Sequence, residues 1–252
     1  MRRVQEEWSS LHHVAGSQRR RFSKFRLKNT ADNFPATTDF DTSGEVGLDT
    51  DLARGSDTIQ DASGIDTLDF SGTTTQVVSV NLSDAAAQVV NPALTLTLSA
   101  GNTIENVIGG ALSDTLTGNS GDDVLSGRAG NDILIGGDGA DQLTGGISED
   151  LLLGGRYIYA NDFIALDSLR IEWISANSFD DRVGHLLGTL AGGVHNGFTL
   201  TRSTVKEDSS ADILIGGSGR DWYVRNSLGL PAIFRDTVTD ADLHSLFTEI
   251  DT

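Results

Sequence analysis

Five aspartates, Asp114, Asp123, Asp132, Asp141 and Asp150, stand nine residues apart. Leu116, Leu125, Leu134, Leu143 and Leu152 keep the same step, as do Gly109, Gly118, Gly127, Gly136, Gly145 and Gly154. An acid, a leucine and a glycine in fixed slots define a repeat, and a repeat sets the architecture before any single element does. The register also limits the chemistry. Carboxylates in rows, set in glycine-rich turns full of backbone carbonyls, suit a hard cation with oxygen ligands, and calcium is the natural choice. With no cysteine in the chain, thiolate zinc sites and cysteine nucleophiles are excluded. His12, His13, His185, His195 and His244 form no H-E-x-x-H frame, and the chain has no G-x-S-x-G elbow or P-loop. No catalytic residue is assigned, and the chain reads as a non-enzyme.

Block by block, Gly109 to Leu153 reads GGALSDTLT, GNSGDDVLS, GRAGNDILI, GGDGADQLT and GGISEDLLL. The consensus G-G-x-G-x-D-x-L-x resembles the calcium-binding nonapeptide repeat of RTX proteins, which implies a parallel β-roll that binds Ca2+. The residues support the same picture. Six residues make a turn, where glycine permits positive φ, and three make a strand whose middle leucine points inward. Two nonapeptides complete one coil, so turns one coil apart share an edge. One edge carries Asp114, Asp132 and Asp150; the other carries Asp123 and Asp141. A cation between successive turns would take two aspartates plus alternating carbonyls, about six to eight oxygens in all. The carbonyls expected to contribute are those of Gly118, Gly121, Gly127, Gly130, Gly136, Gly139, Gly216 and Gly219. Asp132 would be shared by two sites. Leu112 and Ser148 replace the fourth-slot glycine, so their turns are expected to be distorted or weaker; Asn119 and Arg128 replace the second. The alternative is that these turns are ordinary solvated loops of a β-solenoid, which leaves the fixed acid slot unexplained.

The register resumes near the C-terminus. Asp212-Ile-Leu-Ile precedes GGSGRDWYV, and Asp212 and Asp221 are again nine apart. Gly154-Gly155 opens a block that Ala211 to Ile215 finishes, so residues 156–210 read as an insertion in a turn. Asp212 would then follow Asp141 on one edge, and Asp221 would follow Asp150 on the other. The hypothesis requires Leu214 to join the leucine core. Within the insertion, Phe163, Leu166, Leu169, Arg170 and Trp173 keep helical spacing, and so do Phe179, Val183, Leu186, Leu187 and Leu190. Gly192-Gly193 marks a stop, and Phe198 to Val205 alternates as a strand. Trp173 and Phe179 are expected in the core rather than on a ligand-binding surface. Exposure of Trp173 or Phe198 would instead favour a surface adhesion module.

Upstream, GSDTI and GIDTL repeat at nine, so Asp57 and Asp66 read as one earlier coil. The order GIDTLDFSG, then strands, then IENVIGG into nonapeptides, is similar to the C-terminal domain of serralysin-type metalloproteases over about Gly55 to Gly155. That resemblance implies a calcium-binding roll that supports secretion, here without the catalytic domain. Asp66 to Asp114 is not a multiple of nine, so strands over 72–108 are expected to interrupt the spiral. Asp69 and Asp84 read as solvated surface.

The net charge is −18. Residues 1–30 hold eight basic and two acidic residues, leaving ten basic and 34 acidic over 31–252. Such self-repulsion disfavours the compact state until a counter-ion binds, and its sign disfavours nucleic acid. The basic leader lacks the apolar run of a Sec signal, and no segment is apolar enough to span a membrane. The family's export runs through type I secretion machinery, an expected partner, and the acidic tail is compatible with an uncleaved export signal. A protein or glycan partner is not specified. The fold class is mainly β: a parallel β-roll with flanking strands and a small helical insertion. The divisions are 1–54, a basic disordered leader; 55–108, strand-rich with two partial repeats; 109–155, the nonapeptide roll; 156–210, the insertion; 211–224, the resumed repeat; and 225–252, the tail. The expected function is calcium-driven folding outside a bacterial cell. The rival readings are the C-terminal portion of a secreted hydrolase and an adhesin.

Overall fold

The computed structural model describes residues 25–27, 38–40, 45–48, 50–51, 55–61, 64–98, 104–206, 208, 210–225, 237–239 and 246–249. The fold is mainly β, a parallel β-roll. Alternate nonapeptides feed opposite walls. The first wall has eight parallel strands in the order β1 (Phe25–Leu27), β3 (Glu45–Leu48), β5 (Thr67–Asp69), β9 (Asn106–Ile108), β11 (Val124–Ala129), β13 (Gln142–Ile147), β17 (Ile213–Ser218) and β19 (Thr237–Thr239). The second has six, also parallel: β6 (Ser79–Asn81), β10 (Thr115–Thr117), β12 (Ile133–Ile135), β14 (Leu151–Leu153), β18 (Trp222–Arg225) and β20 (Leu246–Glu249). A four-stranded sheet joins β2 (Thr38–Phe40), β4 (Gly55–Asp61), β8 (Leu94–Leu98) and β7 (Gln88–Asn91), the last two antiparallel.

The middle residue of each strand builds the core. Leu68, Val107, Leu125, Leu143 and Leu214 stack in register on the first wall. Val80, Leu116, Leu134, Leu152 and Tyr223 do so on the second. All ten are at most 2% exposed, in one cluster. Burying each such side chain stabilises the fold by about 1.5–3 kcal/mol. Leu214 therefore stacks on Leu143 and shares its core with Leu152. The chain leaves the roll after Gly155 and returns to the next rung at Ile213.

The insertion leaves and re-enters through a short antiparallel pair, β15 (Arg156–Tyr157) with β16 (Val205–Lys206). Between them stand two helices. Asp162 caps α1 (Phe163–Trp173), accepting the N–H groups of Ile164 and Ala165, and Ser178 caps α2 (Phe179–Leu186). A second apolar cluster forms where these helices meet the outer face of the second wall. Ile133, Ile135, Leu151, Leu153, Trp222 and Val224 lie against Leu166, Leu169, Trp173, Phe179 and Val183. Trp173 is 0% exposed and Phe198 half-buried, so both aromatics belong to the packing rather than to a surface patch. No helix among the described residues is long and apolar enough to cross a membrane.

Several expectations need correction. Within the expected leader, three segments are strands of the sheets (β1, β2 and β3), because β3 pairs with β5 and extends the first wall. The rest of the leader, with His12 and His13, lies outside the described residues. Strands over 72–108 do not simply interrupt the spiral: β6 and β9 are rungs of the two walls, and only β7 and β8 depart from them. Asp57 lies inside β4, opposite Leu96, and is not in a turn. Asp69 and Asp84 are partly buried turn formers that accept the N–H groups of Ser71 and Ala86. The second helix stops at Leu186 because Gly188, at φ +70°, already provides the left-handed exit. Phe198 to Thr204 is a turn, held by the Thr204 hydroxyl bonding Thr199 O, and strand begins only at Val205. In the tail, β19 and β20 add one further rung to each wall.

Candidate metal centre

Each nonapeptide turn from Gly109 onward ends in an aspartate that precedes a strand, and that position fixes its side chain. On one edge, Val78 N–H donates to Asp114 Oδ1, Asp114 N–H to Asp132, Asp132 N–H to Asp150 and Asp150 N–H to Asp221, at 2.7–2.8 Å. On the other, Asp123 N–H donates to Asp141 Oδ1 and Asp141 N–H to Asp212 Oδ1, at 2.8 and 2.9 Å. The two-edge assignment, including the steps across the insertion, is thus the hydrogen-bonded order of the aspartates. All seven are at most 2% exposed.

The second carboxylate oxygen carries the metal question. Oδ2 of Asp132, Asp141 and Asp150 and Oδ1 of Asp123 are buried and make no hydrogen bond. A buried polar group left so is costly unless something pairs with it. Oxygen gathers at three first-slot glycines, beside the free Asp141 Oδ2 and beside Asp114 Oδ2 and Asp123 Oδ2, which accept Gly110 N–H and Asn119 N–H. A methyl group added at Gly136 would meet Asp141 Oδ2 and, at 2.6 Å, Gly154 O; at Gly109 it would meet Asp114 Oδ2 at 2.7 Å and Gly127 O at 2.8 Å. At Gly118 it would meet Asp123 Oδ2 and Gly136 O. Gly109, Gly118 and Gly136 thus each keep open a cradle between their own turn's carboxylate and a carbonyl of the next coil. At Gly127 and Gly216 the same added methyl would strike Asp132 Oδ2 and Asp221 Oδ2. The second- and fourth-slot glycines serve a different need, the close stacking of turns. Gly139 and Gly219, at φ +119° and +138°, sit over the carbonyls of Gly121 and Ser148, and Gly130 at φ +110° sits under Leu112.

The departures from consensus divide. Leu112 avoids positive φ, so its turn differs from the regular ones, whereas Ser148 and Arg128 adopt φ +90° and +80° and keep the regular shape under strain. The Arg128 guanidinium reaches upstream to Ser71 O at 3.0 Å. Gly121 has ordinary φ, with only Asn119 Oδ1, at 3.3 Å, close to an added methyl.

Two features lay beyond the sequence reading. Glu105 occupies the acid slot ahead of β9 and accepts Asp66 N–H at 2.8 Å, so the second edge extends upstream with a glutamate in place of aspartate. The fifth slot forms a ladder of its own: Asn131 N–H donates to Ser113 Oγ, Glu149 N–H to Asn131 Oδ1 and Ala140 N–H to Asp122 Oδ1. Short polar side chains in that slot were the available signal.

The donor set fits a hard cation. Among the described residues no three carboxylate or imidazole side chains converge. Each cradle therefore offers carboxylate oxygens singly or in pairs, completed by backbone carbonyls, the pattern calcium accepts at six to eight oxygens. Charge points the same way. Burial first, and neighbouring carboxylates second, push Asp123 up to about 8 and Asp132 up to about 10. Burial likewise pushes Asp150 up to about 9 and Asp114 and Asp141 up to about 7. All five lie above the unfolded value of 3.8, so the metal-free folded state holds protons that the unfolded state has released. That contribution is fully present below pH 3.8 and is lost as pH rises through about 7 to 10. In chelator, strand content measured by circular dichroism is expected to be higher at pH 5 than at pH 9; the reverse order would disprove it.

A family model described as the RTX calcium-binding nonapeptide repeat matches four copies in the chain, at residues 99–134, 108–143, 127–156 and 208–223. The last copy begins at the end of the insertion and covers the rungs that resume the roll. No curated protein matches the chain.

Proposed function

We propose that this RTX repeat protein loads calcium between stacked turns on both edges of its roll, folds in doing so, and works outside the cell. The observation that carries the reading is the row of buried, hydrogen-bond-free Oδ2 atoms of Asp132, Asp141 and Asp150, with the Gly154 carbonyl beside the Asp141 oxygen at Gly136. Asp114, Asp123, Asp212 and Asp221 complete the two edges as ligands. Calcium supplies the positive charge that lets the buried carboxylates stay ionised. The chain supplies the order: each N–H-to-Oδ1 bond sets one carboxylate oxygen, and at Asp141 the second oxygen shares the space at Gly136 with the Gly154 carbonyl of the next coil.

The energetics favour coupling to compartment. A ligand that binds only the folded state adds about 4 kcal/mol per site when its free concentration exceeds Kd a thousandfold. With a net charge of −18, the chain repels itself until cations bind. Low cytosolic calcium would leave the roll loose for export through type I machinery, and extracellular calcium would close it. The roll thereby stabilises a secreted or surface protein, and no reaction is assigned to it.

Circular dichroism of the purified chain in chelator and across a calcium titration tests this. The expected result is a cooperative gain of strand signal with calcium and little of it without. A fully ordered chain in excess chelator, unchanged by calcium, would end the reading.

A further inference from the structure

The insertion does not merely lie on the second wall; it grips two calcium-edge turns. Glu149 stands in the fifth slot of one turn, directly before Asp150. Its carbonyl accepts the Trp173 indole N–H at 2.9 Å, and its carboxylate pairs with Arg182. Arg182 is buried, donates to Trp173 O at 2.5 Å, and lies 4.9 Å from the centre of the Trp173 ring. Arg220 stands in the equivalent slot of the next turn, directly before Asp221. It pairs with Asp180 at 2.5 Å and covers the Phe179 ring at 4.1 Å. The two turns are themselves stacked, Ser148 N–H donating to Ser218 O at 2.8 Å. The end of α1 and the start of α2 thus hold turns 145–150 and 216–221 together, at the residues adjoining two of the edge aspartates.

We propose that the insertion is a calcium-conditional module: residues 156–210 close over the second wall only when turns 145–150 and 216–221 are in register, and they open when that edge loses calcium. The inference rests on the calcium-folding reading and names a regulatory consequence of it. The helices have 11 and 8 residues, too short to persist alone in water. Their apolar faces have one partner, the outer row Ile133, Ile135, Leu151, Leu153, Trp222 and Val224, which exists as a row only when the coils are stacked. The docking residues Glu149 and Arg220 stand next to Asp150 and Asp221 in sequence, so disorder at the metal edge displaces them directly. Opening would expose Trp173 and Trp222, both 0% exposed in the closed form. Linkage is reciprocal, so docking must also tighten calcium at that edge.

Hydrogen exchange resolved by peptide, run on the whole chain across a calcium titration, tests the proposal. Amides of 163–186 are expected to become protected at the same calcium concentration as those of 124–153. In Glu149→Gln, and separately in Arg220→Ala, the 163–186 amides are expected to lose protection at saturating calcium, and the calcium midpoint of the roll is expected to rise about fivefold. Neither residue is among the assigned ligands, and the two variants weaken different turns. Helix amides already protected in chelator, or both variants matching the wild type, would overturn the proposal while leaving calcium-driven folding intact. Roll amides indifferent to calcium would sink the folding reading and this inference with it.

Discussion

Asp132→Asn is expected to weaken calcium binding and, in chelator, to make the roll more ordered than the wild type. The two effects have opposite sign because the residue has two tasks. Its Oδ1 accepts Asp114 N–H at 2.7 Å, and its own N–H donates to Asp150. Asparagine keeps that acceptor, that donor and nearly the same volume, so the rung survives. What changes is Oδ2, buried and without a hydrogen bond. Burial, with Asp150 and Asp114 as like-charged neighbours, pushes Asp132 up to about 10. At neutral pH the metal-free fold must therefore hold a proton against solution. Each pH unit above the unfolded value of 3.8 corresponds to about 1.4 kcal/mol, so a neutral amide removes a cost on the order of a few kcal/mol. With calcium the sign reverses, since the side chain stands between two successive turns and one anionic ligand is lost from both gaps. A calcium midpoint raised about tenfold or more, about 1.4 kcal/mol, is expected, read by titration calorimetry alongside urea unfolding with and without calcium. Equal calcium titrations for variant and wild type would remove Asp132 from the site. Destabilisation by the same amount in both media would reduce it to a structural rung.

The repeat, its two edges and the place of the insertion were legible because Asp and Leu each do one job in one slot. The aspartate must bond the neighbouring coil, and the leucine must fill a narrow core, so neither drifts. Rungs where another residue meets the same need were not legible. Glu105 takes the acid position with a longer arm, Val80 and Val107 take the leucine position, and Val238 does so in the tail. The spacing there is broken by the departure through β7 and β8, so a nine-residue ruler fails although the rungs continue. One signal was present and unread. Three triplets of the second wall, Ile-Leu-Ile, Leu-Leu-Leu and Trp-Tyr-Val, have apolar flanks, against Val-Leu-Ser and Gln-Leu-Thr on the first; Thr115-Leu116-Thr117 on the second and Ile213-Leu214-Ile215 on the first run the other way. Apolar residues flanking an inward leucine must face outward, and an apolar outer face needs a cover. The three apolar-flanked triplets of the second wall are the ones the helices cover, while Ile213 on the first wall stays exposed. The strand expected over 198–205 failed for the complementary reason. Its alternation is real, but among the described residues the one strand it pairs with is the two-residue β15, and Thr201 and Thr204 hold a turn through the Thr204 hydroxyl.

The glycine cradles allow a sharper test of where the cation sits, through two alanines in neighbouring turns of the same edge. Gly136→Ala places a methyl against Asp141 Oδ2 and 2.6 Å from Gly154 O, in the gap where a cation would take both oxygens. The carboxylate cannot swing clear, since its Oδ1 is held by Asp123 N–H at 2.8 Å. Gly121→Ala, in the preceding turn of that edge, meets only Asn119 Oδ1 at 3.3 Å. Neither glycine has positive φ, so backbone strain does not separate the two. Both substitutions also restrict the unfolded chain equally, a stabilising effect of about 0.4–1 kcal/mol. The difference between them therefore comes from the filled cradle, and the melt in chelator separates the methyl's clash with Gly154 O, present with or without metal, from the loss of calcium. Gly121→Ala is expected to stay within about 1 kcal/mol of the wild type and to keep its calcium titration. Gly136→Ala is expected to lose calcium at the edge of Asp123, Asp141 and Asp212 while the edge of Asp114, Asp132 and Asp150 still responds. Calorimetric stoichiometry, with melts in chelator and in calcium, reads both. If the two alanines behave alike, the cation does not sit between Asp141 and Gly154, and the first-slot glycines are conserving room for the backbone alone.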